Sequence, residues 1–320
     1  QVSCPEEDYD WDGVPDLLTY STGPFDCTAA FQVPMPDVTD NCSDWEGLTE
    51  IMATVTVDVT NQYGQVIGQE DQKIVVATIQ PGANRFVSGI PVGQHRFRYT
   101  VTDDCGNETV VECDFQVLDQ VEPVAICDDN LNISIGGQGY ARVYAEDIDE
   151  GSSDNCGPVR IEVRRLVTTN ANCNPITPFY TAWGPFVEFS CCDVNEMVTI
   201  ELRVWDDANG NGVFGGWYGD GPDAADNSNV CWLEVLVEDK INPFCVAPHN
   251  VTLDCDELPY DFDGTDTDQL SALFGEAMGQ DNCPQEVEVT ELTPIVNLDD
   301  CGDGTIIRRF RATDAQGNVS

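Results

Sequence analysis

The sequence predicts an all-β fold of tandem antiparallel β-sandwich modules, disulfide-linked, with one short helix in the third, on three observations. Stretches of strict alternation, such as Ala53 to Thr60 (ATVTVDVT) and Gln94 to Thr102 (QHRFRYTVT), have the period of half-buried strands. The tripeptide Asp-Asn-Cys recurs at positions 40–42, 154–156 and 281–283, so that its two intervals are of similar length. Fifteen cysteines lie among 27 glycines and 18 prolines, the composition of a disulfide framework made in an oxidising compartment.

The repeating skeleton is complete from Tyr99 to Cys127: an alternating strand, an Asp-rich Gly/Asn turn, a Cys-bearing strand, an acidic residue and a Pro, then a new Cys. It returns from Arg203 to Cys245 and begins a third time in RFRATDAQGNVS. The module-opening cysteines Cys4, Cys127 and Cys245 are spaced nearly as the tripeptides are. Two landmarks thus agree on one repeat length, about that of a single immunoglobulin-like sandwich.

Module one covers residues 1–121, with strands expected at 53–60, 73–79, 94–102 and 110–118. Module two covers 122–239, with strands at 131–135, 140–145, 159–167, 197–205 and 230–237. Between its last two strands the path from Asp206 to Cys231 is more than twice as long as the equivalent path in module one, from Asp103 to Cys113. So long a loop on a fixed scaffold points to function or to a bound ion. Module three, 240–320, is C-terminally incomplete, and strands are expected at 286–292 and 305–313. Its helix is expected over Thr267 to Ala277, capped by Asp266 with Gln269 completing a capping box.

Thirteen Lys and Arg against 58 Asp and Glu give a formal charge of −45, which excludes nucleic acid and anionic membrane as partners by repulsion. Cations are the natural partners, and Ca²⁺ is the hard cation that carboxylate clusters take up outside cells. No apolar run approaches the ~20 residues of a membrane span. No Cys-x-x-Cys occurs and only His95 and His249 could add nitrogen ligands, so zinc finds little support. The chain reads as a piece of a longer secreted polypeptide.

Asp-Asn-Cys, Pro91-Val92-Gly93, Tyr99-x-Val-Thr-Asp, Cys105-Gly-Asn107 and Cys113-x-Phe-x-Val together resemble hyalin-repeat domains, an immunoglobulin-like family. CVAPHNVTLDC, LFGEA and CGDGTIIRRFRATDAQGN in module three resemble the related repeats of giant bacterial surface proteins, among them gliding adhesins exported by type IX secretion. The resemblance covers nearly the whole chain. It implies an extracellular, cell-surface array serving adhesion or structure, with no catalytic residue to carry across.

Asp8, Asp10, Asp12, Gly13 and Asp16 form D-x-D-x-D-G-x-x-D, with oxygens at loop positions 1, 3, 5 and 9 and Gly at the sharp turn, as calcium loops require. Asp207, Asn209 and Asn211 repeat the arrangement, with neutral ligands that lower affinity, or form a plain Asn/Gly hairpin. Asp261, Asp263, Asp266 and Asp268 fit no complete loop. The Asp of each Asp-Asn-Cys could meet Asp103, Asp206 and Asp314 around an intermodule ion, or serve as a turn residue satisfying backbone N–H groups.

First and last strands of a module are expected to be clamped by Cys4–Cys113 and Cys127–Cys231, with Cys42–Cys105, Cys156–Cys192 or Cys191, and Cys283–Cys301 next. Cys245 is left without a partner, and Cys27, Cys173 and Cys255 are unassigned. Trp11, Trp183, Trp217 and Tyr218 could stack on sugars, whereas Trp205 and Trp232, within strands, belong in the core. No Gly-x-Ser-x-Gly occurs, and among 58 acids a carboxylate pair at catalytic spacing arises by chance. The expected function is therefore a non-catalytic structural and adhesive repeat segment, with neighbouring modules of the same or identical chains as partners. A glycan-binding module, or an accessory domain of a secreted hydrolase, is the alternative.

Overall fold

The computed structural model describes the chain from Gln1 to Ser320 except residues 9, 10, 12, 42, 43, 130, 208–225, 300 and 301, and the side chains of 56, 58 and 255. The fold is all-β with one α-helix among the described residues. The first strands are β1 (Val2–Ser3), β2 (Leu18–Gly23), β3 (Asp26–Gln32), β4 (Asp37–Val38), β5 (Trp45–Thr60), β6 (Val66–Ile79), β7 (Phe86–Pro91), β8 (Gly93–Asp103) and β9 (Glu108–Leu118). Then come β10 (Asn132–Ser134), β11 (Tyr140–Tyr144), β12 (Arg160–Thr169), β13 (Pro175–Tyr180), β14 (Phe186–Ser190), β15 (Met197–Trp205) and β16 (Ser228–Glu238). Last are β17 (Phe244–Val246), α1 (Thr267–Phe274), β18 (Met278–Gln280), β19 (Glu288–Leu298) and β20 (Gly304–Thr313).

One topology is drawn twice. The first copy has the order β6-β5-β8-β9-β2-β3-β7, and the second has β13-β12-β15-β16-β10 with β11-β14 as a separate pair. In each, a short strand lies parallel to the last one: Leu18–Ser21 beside Phe115–Leu118, and Asn132–Ser134 beside Leu236–Glu238. In the first copy β2 also pairs with β3, through a register shift at Thr22 and Gly23, so it changes sheets. Phe31 of β3 then meets Phe97 and Phe115 at centroid distances of 6.2 and 5.7 Å, although β3 pairs with neither of their strands. The sheet has therefore closed over its own apolar face, giving an immunoglobulin-like sandwich.

Alternation explains the core. Every second residue of β8 (His95, Phe97, Tyr99, Val101) and of β9 (Cys113, Phe115, Val117) is buried, against Ala29, Phe31, Val87 and Ile90 from the other face. Each large apolar side chain so enclosed contributes about 1.5–3 kcal/mol. The chain divides into two compact units, Gln1–Cys127 with Asp149–Glu162 and Leu202–Cys231, and Asp128–Ile148 with Val163–Glu201 and Trp232–Ser320. The first holds the core just described. The second buries Ile133, Val143, Val187, Phe189, Ile200, Val235 and Val237 on strand faces, with Leu270 of α1 and Ala312 of β20.

Three elements differ from expectation. β5 and β6 extend well past 53–60 and 73–79, because a 14-residue edge strand needs only its ladder to β5: from Val66 to Val75 every residue of β6 is exposed. Lys73, Glu70 and Asp71 on that edge discourage pairing with another chain. Helix α1 stops at Phe274 rather than Ala277, since Gly275 takes φ 84° and ends it. Trp232, expected in the core, is 68% exposed because it falls on the outward register of β16. Trp205 is half-buried, its Nε1–H donating to Glu162 Oε1 at 2.6 Å.

Five disulfides tie the described cysteines: Cys4–Cys113, Cys27–Cys156, Cys127–Cys231, Cys173–Cys192 and Cys191–Cys283. The two strand clamps are those expected from the order of the strands. Cys156 bonds to Cys27, not to Cys192 or Cys191, because the Asp-Asn-Cys loop faces the β2–β3 turn. Cys191 and Cys192 share a 3₁₀ turn that points them apart, Cys192 to Cys173 and Cys191 to Cys283, which removes Cys283 from Cys301. Cys105 is an exposed free thiol, so the bond expected to Cys42 is not made from its side; Cys42 and Cys301 lie outside the described residues. Cys245 is also free.

Candidate metal centres

Each Asp-Asn-Cys begins as a local turn. Asp154 Oδ2 accepts the Cys156 N–H at 2.7 Å and Asp281 Oδ2 that of Cys283 at 3.2 Å, the Asx turn expected of such residues. The asparagine between them reaches out instead. Asn155 Nδ2 donates to the Gly23 carbonyl at 3.1 Å and lies 3.5 Å from Asp119 Oδ1; Asn282 Nδ2 donates to Asp239 Oδ2 at 3.1 Å. Gly139 must be glycine here: at φ 80°, its Cβ would lie 2.9 Å from the Asn282 carbonyl oxygen.

Asp119 and Asp239 stand one residue past β9 and β16, in equivalent places. Asp119 is fully buried; its Oδ1 accepts the Thr22 hydroxyl at 2.6 Å and the Val121 N–H at 3.0 Å, whereas Oδ2 has no hydrogen-bond partner. A carboxylate oxygen of Asp119 and one of Asp154 come within 4.8 Å of each other, as do those of Asp239 and Asp281. The sulfurs of Cys156 and Cys283 share these spaces but are committed to disulfides.

A third aspartate, from the turn after an alternating strand, stands beside each group and acts on it electrostatically. Asp206 Oδ1 accepts the Asn227 N–H at 2.6 Å and Oδ2 its Nδ2 at 2.9 Å; Asp314 is held by Asn318 in the same way, at 2.8 and 2.7 Å. The same asparagine Nδ2 continues to the backbone carbonyl of Asp119 or Asp239, 3.0 Å in both cases. Asp103 and Asn107 make the same clip on the surface.

Environment then separates identical motifs. At Asp103, near the surface, the Asn107 hydrogen bonds dominate and lower the carboxyl below its ordinary range. At buried Asp206 desolvation outweighs the same bonds, and with the charges of Asp154 and Asp119 pushes the carboxyl up to about 6. Asp154 is raised by burial and then by Asp119, and Asp281 by burial and then by Asp239 and Asp314. Both groups are thus crowded with buried negative charge.

Of the loop expected at Asp8, Asp10, Asp12 and Asp16, the ends are visible. Asp16 N–H donates to the Glu7 carbonyl at 2.7 Å, and Asp8 Oδ2 accepts the Gly13 N–H at 3.0 Å with Gly13 at φ 84°. Asp10 and Asp12 lie outside the described residues, as do Asn209, Asn211, Trp217 and Tyr218; Asp207 is half-buried beside Asp206. Asp263 is occupied with Thr265 and Asp266 with the helix cap. The Trp183 ring lies under the Arg164 guanidinium at 4.3 Å.

Sequence reading misses the linker aspartates Asp119 and Asp239 and the clip asparagines. Their signal is D-x-x-x-N after an alternating strand, at 103–107 and 314–318, which the insertion in module two stretches to 206 and 227.

No protein-family model matches the chain, and no curated protein does. Among solved structures, fibronectin(III)-like modules of Clostridium thermocellum CbhA are similar at 12% identity and TM-score 0.22, over 71% of this chain and 93% of that one.

Proposed function

We propose that the chain is a non-catalytic, extracellular, structural and adhesive repeat segment of a long cell-surface protein or filament, stiffened by disulfides and Ca²⁺. Its partners on this reading are neighbouring modules of the same or identical chains. The observation that supports it is the linkage of the disulfides: the loops closed at 4–113, 27–156, 127–231 and 191–283 each overlap the next in sequence. The shortest covalent path from Cys4 follows the backbone to Cys27, jumps to Cys156, follows the backbone to Cys173, jumps to Cys192 and, from the neighbouring Cys191, jumps to Cys283. Even unfolded, that path reaches only about 160 Å, against roughly 950 Å for the open backbone from Cys4 to Cys283.

Such wiring suits a tether under tension, beyond the loop-closure stabilisation that any disulfide gives. The test is to stretch the chain by its ends in an optical trap, oxidised and then reduced. We expect the oxidised chain to stop near the short path plus its two unbridged tails, and the reduced chain to release the remainder. An oxidised chain that extends to its full backbone length would refute the proposal.

A further inference from the structure

We propose that Asp119, Asp154 and Asp206, and equivalently Asp239, Asp281 and Asp314, hold two Ca²⁺ ions, each joined by the side-chain carbonyl of the neighbouring asparagine, Asn155 or Asn282. This rests on the calcium part of the function proposed above and says where the ion sits.

At the first node the acceptors outnumber the donors. Asp119 Oδ2, Asp154 Oδ1 and Asn155 Oδ1 are all buried with no hydrogen-bond partner, and Asp119 as a whole is inaccessible to solvent. Two carboxylate oxygens that face each other without a donor need a proton or a cation between them. A single proton serves one pair of oxygens and leaves Asn155 Oδ1 unsatisfied. A cation answers all of them at once. None of the six aspartates makes an ion pair with Lys, Arg or His among the described residues, so positive charge has to come from outside the chain.

The donors choose the ion. With both cysteine sulfurs in disulfides, only carboxylate, amide and backbone oxygens remain, a hard set. They come from three separate segments of irregular geometry, which suits the flexible six- to eight-fold shell of Ca²⁺ better than the strict octahedron of Mg²⁺. The asparagine clips fix the carboxylates without neutralising them, as a cation site requires.

The second node repeats the first independently. Asp281 Oδ1 and Asn282 Oδ1 are again buried without a partner, and Asp239 and Asp314 are 5% and 7% exposed. Surface acids used only as turn residues would not be brought together twice in the same pairing, with the same asparagine-clipped acid beside each.

The experiment is calcium titration calorimetry of the full oxidised chain, freed of metal, in about 0.1 M KCl, where exposed charges are screened beyond about 10 Å. It compares the parent with Asp154→Asn, Asp281→Asn, the double variant, and Asp8→Asn as a control for the N-terminal loop. We expect each node substitution to remove one bound Ca²⁺ per chain, the double variant two, and Asp8→Asn neither of these. A double variant that binds as many ions as the parent overturns the assignment while leaving calcium binding in place. A parent that binds no Ca²⁺ overturns both this inference and the calcium part of the proposed function.

Hydrogen exchange on the parent guards against misfolded variants. Ca²⁺ should slow the amides at 119–121, 154–156, 239–241, 281–283 and 314–318. Protection confined to residues 7–16 would refute the nodes.

Discussion

A single buried imidazole shows how the core converts burial into pH dependence. His95 Nε2–H donates to the Pro91 carbonyl at 2.6 Å, the ring stands 5.3 Å from that of Phe115, and Nδ1 is buried with no partner. The neutral ring fits; a second proton on Nδ1 would place a charge against an aromatic core, so burial lowers the His95 pKa below 6.5. The unfolded chain takes that proton at the ordinary value and the folded chain refuses it. The stability His95 contributes is therefore intact above pH 6.5 and lost as the pH falls below it. His95→Gln keeps a donor for Pro91 and removes the titration. Between about pH 7 and 5 the parent should lose melting temperature more steeply than the variant; equal slopes would show that His95 protonates freely in the native state.

At the scale of elements, what was legible in the sequence is what depends on neighbours along the chain. The alternation in β8, β9, β15 and β16 marks their buried faces, and Asp266 marks the start of α1, where its carboxylate accepts the N–H groups of Asp268 and Gln269 at 3.0 and 3.2 Å. The reciprocal half of the expected capping box is absent for a tertiary reason: Gln269 Oε1 accepts the Asp263 N–H at 3.0 Å instead, fastening the preceding loop. Asp266→Ala should then cost about 1 kcal/mol, the usual worth of an N-cap, and Gln269→Ala less, read from denaturant midpoints. A larger loss for Gln269→Ala would mean that the loop clasp, rather than the cap, holds the helix in place. Trp232 was misplaced because alternation fixes which residues share a face, not which face is covered.

For the whole molecule, the legible part was the repeat, and the illegible part was whatever the fold gathers from distant segments. Asp119, Asp154 and Asp206 lie far apart in sequence, and each alone reads as a turn or linker acid; the parallel docking of β2 on β9, the Cys27–Cys156 bond and the Asn227 clip bring them together. The same holds for Cys191–Cys283, whose vicinal neighbour made the pairing ambiguous. Net charge was legible but its consequence depends on place. At −45, most carboxylates face solvent, where repulsion between them is screened by any salt. The six aspartates of the two nodes are at least half-buried, where screening ions do not reach. Potassium chloride should therefore raise the melting temperature of the metal-free chain gradually, as the Debye length falls from about 10 Å at 0.1 M to about 3 Å at 1 M. Calcium chloride at matched ionic strength should add a further increase that saturates once the nodes are filled, because a ligand bound only by the folded state stabilises it by mass action. If the two salts give superimposable curves, the acids act only as a screened surface and the buried aspartates hold no ion.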